Sequence, residues 1–222
     1  MAYQAGGQRS APRPVPESLE AQAYLQDYAG YLEAVPFPSV VLDHRCDVVL
    51  ANTAFETLFQ GVSPHPTALP GDNFLRFVLF HPDAATLLGD HESSWCLPML
   101  ARFAAALERH GHDHGLQAIR REIAQDPLME AAYRQGLPHW IRAVGEGAVE
   151  HDGAIRPLLH PDPRRGVTEC RIVCDTPRTL QDMGYARLTM ILREPRTAPA
   201  PRKARTARRT ASHLSVVPAP RV

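Results

Sequence analysis

Hydrophobic and polar positions along the chain follow two rhythms. The run Asn73-Phe74-Leu75-Arg76-Phe77-Val78-Leu79-Phe80-His81-Pro82 is apolar around nearly the whole circumference of a helix, interrupted by Asn73 and Arg76. A helix that is hydrophobic all round is buried on several sides, either as a plain core helix or as a wall shared by the core and a cavity. Helical spacing also marks residues 17–34, where Leu25, Tyr28, Leu32 and Val35 form one face that Tyr24 and Tyr31 widen, and Pro36 and Pro38 end it. That aromatic face serves either its own domain or a second copy in a homodimer. Further helical segments cover Thr53–Phe59, 82–89, 95–109, 115–124, 127–135 and 137–145. In the third of these Met99, Leu100, Phe103 and Leu107 share a side, with Trp95 just ahead of them and Pro98 in the first turn. In the last, Leu137, Trp140, Ile141 and Val144 fall at i, i+3, i+4 and i+7.

The second rhythm has period two. Ser39–Asp43 and Cys46–Leu50 flank His44-Arg45 and predict a hairpin with a two-residue link. Asn52 follows where strand gives way to helix and suits an N-cap. Ile155–Leu159 is a short strand broken by Pro157. In residues 167–174, Thr168, Cys170, Ile172 and Cys174 alternate with Glu169 and Arg171; in 185–192, Ala186, Leu188, Met190 and Leu192 alternate with Tyr185, Arg187 and Thr189. Such alternation implies an antiparallel sheet with one face covered. The order helix, two strands, helical block, three strands predicts an α+β fold. Its five-stranded antiparallel sheet is covered by helices on one face, with an N-terminal helix, in the PAS-like layout that keeps a pocket between sheet and helices.

Composition changes this picture little in the middle and much at the ends. The 222 residues are 44% hydrophobic and 22% charged, ordinary for one globular domain. The net charge of zero hides an asymmetry: residues 193–222 hold eight Lys or Arg and one acid, and the rest hold 16 against 23. An acidic body with a basic tail is not a uniform nucleic-acid-binding surface. Residues 1–16, rich in Gly, Gln, Pro and Ala, and residues 195–222, rich in Pro, Ala, Thr and Arg, cannot bury enough apolar area to fold alone and are expected to be disordered. The folded domain is therefore expected over 17–194. Within the tail, Arg202, Lys203, Arg205, Arg208 and Arg209 suit weak, salt-sensitive contact with nucleic-acid phosphates.

The candidate chemistry is sparse. Cys46, Cys96, Cys170 and Cys174 make no CxxC pair, and Cys170 and Cys174 read as inert thiols of a core or cavity wall. No signal peptide and no run of about 18 apolar residues is present. The expectation is a cytoplasmic protein with free thiols and no membrane partner. His110-Gly111-His112-Asp113-His114 offers metal-ligating types, but a glycine-flexed linker loses ordering entropy on binding, and no metal or cofactor is assigned. No Gly-rich phosphate loop, nucleophile elbow or carboxylate pair indicates an enzyme.

Several blocks, taken in order, resemble the ligand-binding, PAS-like domain of MmyB-type transcription regulators. These are Val48-Val49-Leu50-Ala51-Asn52, with Ala51 for the usual Trp; Asn73-Phe74-Leu75-Arg76 with Phe80-His81-Pro82; Asp90-His91-Glu92, with His91 where Trp is usual; Asp126-Pro127-Leu128-Met129-Glu130-Ala131-Ala132-Tyr133; and His160-Pro161 with Gly166. The resemblance covers about 18–194, with insertions at 93–98 and 136–153. Members usually carry a helix-turn-helix ahead of this domain, and the short segment before it here leads to the expectation that none is present.

The resemblance implies a sensor without chemistry that takes an apolar, fatty-acid-like ligand in transcription control, acting with a DNA-binding regulator or as a dimer. Each buried methylene contributes about 0.8 kcal/mol, so a long acyl chain gains on the order of 10 kcal/mol before the association cost. The ligand is placed between the sheet and the 73–107 helices, against Phe74, Phe77, Val78, Trp95, Phe103, Leu107 and Ile172. Arg76 and Arg102 are the candidates for its head group. The alternative is a protein–protein interaction module, or a regulator associated with DNA through its basic tail.

Overall fold

The computed structural model describes residues 18–193, apart from 146, 148–149, 161–163 and 165. The N-terminal segment 1–16, the tail with its five basic candidates, and Pro161 lie outside the described residues.

Five strands form one antiparallel sheet: β1 (Ser39–Leu42), β2 (Val48–Ala51), β3 (Ile155–Leu159), β4 (Val167–Val173) and β5 (Ala186–Arg193), in the order β2-β1-β5-β4-β3. The chain thus makes the expected α+β fold. Strand alternation holds: Cys170 and Ile172 of β4 and Leu188 and Met190 of β5 are buried on the same inner face as Val40 and Leu42 of β1. Helices α2 (Thr53–Leu58), α3 (Phe74–Phe80), α4 (Ala84–Leu87), α5 (Leu97–Arg109) and α6 (His114–Gln125) cover that face and the space beyond it, followed by α7 (Pro127–Ala131) and α8 (Leu137–Val144).

The outer face carries a second, smaller cluster. There Leu25, Tyr28 and Leu32 of α1 (Leu19–Glu33) pack on Val41, Val49 and Leu180. The aromatic face of α1 therefore serves its own domain, leaving Leu19 and Tyr31 exposed. Asn52 fixes the helix there. Its side-chain oxygen accepts from the Ser39 and Phe55 N–H groups at 2.9 and 3.0 Å, and its amide lies 2.9–3.3 Å from the carbonyls of Leu32, Val35 and Phe37. The expected N-cap is thus also the joint between α1, β1 and α2.

Four local features differ from the sequence reading. The hairpin reverses over Asp43–Asp47 rather than two residues. The Asp43 carboxylate accepts from the Arg45 and Asp47 N–H groups, and Cys46 takes a left-handed φ of 64°. Glycine or asparagine normally holds that position, so no turn signal was visible. β3 is not broken by Pro157. As an edge strand it needs no N–H there, and the Pro157 carbonyl accepts from Gly89 N–H and Trp95 Nε1 at 3.1 and 2.9 Å. A short helix, α9 (Arg178–Asp182), lies between β4 and β5. Finally, π-helical turns at His91–Cys96 and Ala132–Gly136 run directly into α5 and α8. Each precedes a Leu-Pro pair (Leu97-Pro98, Leu137-Pro138), where proline has no N–H to give to the previous turn and the helix widens to accommodate it.

The histidine linker is held by its aspartate. Asp113 caps α6 through Leu116 N–H, and its carboxylate accepts from His44 Nε2 and Arg45 Nε at 3.1 and 3.0 Å. Among the described residues no group of three or more His, Cys, Asp or Glu is placed to hold a metal ion.

Candidate ligand-binding site

The apolar run 74–80 is held at both ends. Asn73 accepts from Arg76 N–H at 2.7 Å and donates to the Arg45 carbonyl at 3.0 Å and the Asp47 carboxylate at 2.6 Å, which joins α3 to the β1–β2 turn. At the other end His81, 4% exposed, bonds the Ser63 carbonyl through Nε2 and accepts from Asp83 N–H. Between them Phe74 and Phe77 meet Phe55 and Phe59 with ring centroids 5.2–6.0 Å apart across the α2–α3 contact. A fully buried phenylalanine contributes about 2–3 kcal/mol, so these rings are a structural wall as well as a candidate lining.

The expected site residues divide into three groups. Phe74, Phe77, Val78, Trp95, Phe103 and Ile172 belong to one buried cluster between sheet and helices, with Leu107 packed half-buried against it. Phe103 meets Tyr133 edge-on at 6.1 Å. Arg76 pairs with Glu122 of α6 at 2.8 Å. Arg102, half-buried on α5, stands against the Cys46 thiol and within electrostatic range of His151 and Cys174.

The sequence reading missed Arg156 and His151. Arg156 lies on the inner face of β3, opposite Cys170 and in phase with Leu158, and is 5% exposed. Its guanidinium donates to His151 Nδ1 at 2.7 Å and lies over the Trp95 ring, 5.1 Å from its centroid. Burial pulls its pKa down to about 10, which leaves it charged at neutral pH. Burial, then the charges of Arg156 and Arg102, pull His151 down to about 3, so its ring is neutral. With Nδ1 accepting, the ring proton sits on Nε2, and that buried N–H has no hydrogen-bond partner among the described residues. Burial pushes the Cys170 thiol up to about 12 and raises Cys46 and Cys174 too, so these sulfurs supply no counter-charge. The period-two pattern carried a signal for Arg156, since it shares its phase with Leu158; Pro157 masked it. His151 lies before the strand and carried none.

Beside this cluster a groove of about 810 Å³ runs between the two π-helical turns, lined among others by His91, Cys96, Met129, Gly136 and Arg142. π-helical turns often occur at functional sites. Cys96 and Met129 bring their sulfurs to 4.0 Å at this groove. Trp95 and Cys96 are consecutive: the indole meets Arg156, and the thiol lines the groove. No described helix is long and apolar enough to cross a membrane.

Among known proteins, the family model described as MmyB-like transcription regulator ligand binding domain matches residues 27–153, more than half of the chain, and ends just before β3. No curated protein matches the chain.

Proposed function

Because the chain belongs to the MmyB-like transcription regulator ligand-binding domain family, we propose that it is a non-catalytic sensor of a small apolar, fatty-acid-like molecule. The ligand lies between the inner face of the sheet and α3 and α5, and its signal passes to a DNA-binding regulator in the cytoplasm. The observation that supports this reading is an apolar cluster beside a surface groove. Trp95, Phe103 and Val78 from the helices and Ile172 and Met190 from the sheet form one buried apolar cluster, flanked at the surface by the groove between the π-helical turns. Ligand sites of this kind are apolar clefts with few polar groups.

The test is native mass spectrometry of the purified chain, followed by organic extraction of what it carries. A co-purifying apolar molecule, with binding weakened more by Phe103→Gln than by removal of residues 195–222, is the expected result. Equal loss from removing the basic tail moves the site away from this cluster. A protein that is empty and refuses added fatty acid ends the sensor reading.

A further inference from the structure

The groove between the two π-helical turns carries donors that the apolar-ligand reading leaves unused. Cys96 closes the turn His91–Cys96, is 2% exposed, and brings its sulfur to 4.0 Å from that of Met129 on α7. His91 opens the same turn and lines the groove with Cys96 and Met129. A π-helical turn bonds i to i+5, so its first and last residues stack on one side. The His91 ring is oriented too: its Nε2 meets the Val78 carbonyl at 2.7 Å. A carbonyl only accepts, so Nε2 carries the ring proton and Nδ1 of the neutral ring keeps a lone pair. Histidines that ligate metals are commonly fixed in this way, through a backbone carbonyl on the other nitrogen.

The sulfur spacing sets a geometry. Metal–sulfur bonds of about 2.3 Å to two sulfurs 4.0 Å apart enclose an angle of about 120°. That is a trigonal arrangement, with its third position left for an imidazole. The charge beside this thiol also differs from the rest. Arg102 acts on Cys46 and Cys174, and Arg156 acts on Cys170, whereas the charge acting on Cys96 is the Glu92 carboxylate, which lines the groove as well. Arg142 lines the groove from the exposed side of α8, where solvent screens it. Burial, then Glu92, push the Cys96 thiol up to about 12, so it stays protonated until a metal displaces the proton. Among the described residues no three of His, Cys, Asp or Glu gather around a point, so a four-ligand zinc cage is not on offer. A thiol, a thioether and an imidazole are the ligands of a soft ion that needs fewer of them.

We propose that Cys96, Met129 and His91 bind one Cu(I) ion. The Cys96 thiol releases its proton to solvent as the copper–sulfur bond forms. The Met129 sulfur and His91 Nδ1 each donate a lone pair, and the copper keeps its oxidation state. The ion fastens α7 to the first π-helical turn. This site lies in the groove, apart from the apolar cluster, and does not depend on the sensor reading.

The experiment offers the full chain Cu(I), kept reduced by ascorbate, as its bicinchoninate complex and follows the loss of that complex's colour. The wild type is expected to withdraw one equivalent and to gain a near-ultraviolet thiolate-to-copper band. Cys96→Ser should abolish both. Met129→Leu conserves volume and should fold as the wild type does. It should hold the ion at least roughly tenfold more weakly, the scale on which even the partners of metal ligands count. Cys174→Ser, which alters the one half-buried thiol, should change nothing. No withdrawal of copper overturns the site, and so does withdrawal that survives Cys96→Ser or is lost in Cys174→Ser. Undiminished binding by Met129→Leu shows that the two sulfurs are in packing contact only and overturns it too. Where Cys96→Ser does not fold, Met129→Leu decides alone.

Discussion

Arg187 and Arg156 are both buried arginines of the same sheet, on opposite faces, with 7% and 5% of their surface exposed. Arg187, on the outer face, donates to the Tyr28 hydroxyl at 3.1 Å and to Thr189 Oγ1 at 3.3 Å, meets the Asp175 carboxylate at 3.3 Å and lies over the Tyr31 ring. Burial opposes its charge, but the tyrosine hydroxyls and Asp175 outweigh that and hold its pKa above the ordinary value. Arg156, on the inner face, has an imidazole, an indole and two protonated thiols for company, and its pKa falls. Burial alone does not separate a paired cation from an unpaired one; the partners do. The outer-face arginine is complete within the chain and fastens α1 and the Asp175 segment to the sheet. The inner-face arginine meets no carboxylate among the described residues, only a neutral imidazole and an aromatic ring.

The largest expected effect breaks the complete member of the pair. Arg187→Met leaves the buried Tyr28 hydroxyl without its donor and Asp175 without its cation. It should cost about 3 kcal/mol, seen as a lower urea midpoint with an unchanged slope. Arg156→Met should cost less in the same assay, because it removes an unpaired buried charge and leaves only the neutral His151 Nδ1 without its donor. If the two substitutions cost the same, the contrast between the faces is not electrostatic.

Acid sharpens the contrast next. His151 is held neutral when folded, with its pKa depressed to about 3. An unfolded histidine takes up its proton near pH 6.5. A depressed folded pKa gives stability that is fully present above about pH 6.5 and is lost as the pH falls toward 3, by about 1.4 kcal/mol per pH unit. Urea unfolding at pH 7, 6 and 5 should show this loss in the wild type and a flatter profile in His151→Gln. Arg187 of the outer face keeps its proton throughout this range and adds no such dependence.

Much of this architecture was legible in the sequence because it rests on periodicity. The α1 face, the β4 and β5 alternation and the all-round apolar helix α3 each place many side chains by one rule. Asn52 was legible as a cap from its position between strand and helix. What escaped depends on single residues set by tertiary context. Cys46 adopts a glycine-like φ because the Asp43 carboxylate organises the turn around it. Pro157 sits within a strand because that strand is an edge. The π-helical turns arise from prolines inside continuous helices, where a first-turn reading of Pro98 separates one helix from the segment before it. Among the candidate site residues, the shared cluster of the apolar members was legible and the partners of the arginines were not. A sequence lists its arginines without saying which have met a carboxylate.

The smallest effect is for that reason the most discriminating. Arg76 was a sequence candidate for the head group, and in the fold its guanidinium lies 2.8 Å from Glu122, with side chains 17% and 35% exposed. A partly exposed pair of this kind is worth little, so Arg76→Gln should cost about 0.5 kcal/mol and leave binding of an apolar ligand unchanged. If Arg76→Gln removes that binding, then having a carboxylate partner in the chain does not disqualify an arginine from holding ligand. The Arg76–Glu122 pair would then be a latch that the ligand opens, with α6 released from α3 as the first event of the signal. If Arg76→Gln is silent on both counts, the pair is a surface contact between α3 and α6 and takes no part in holding ligand.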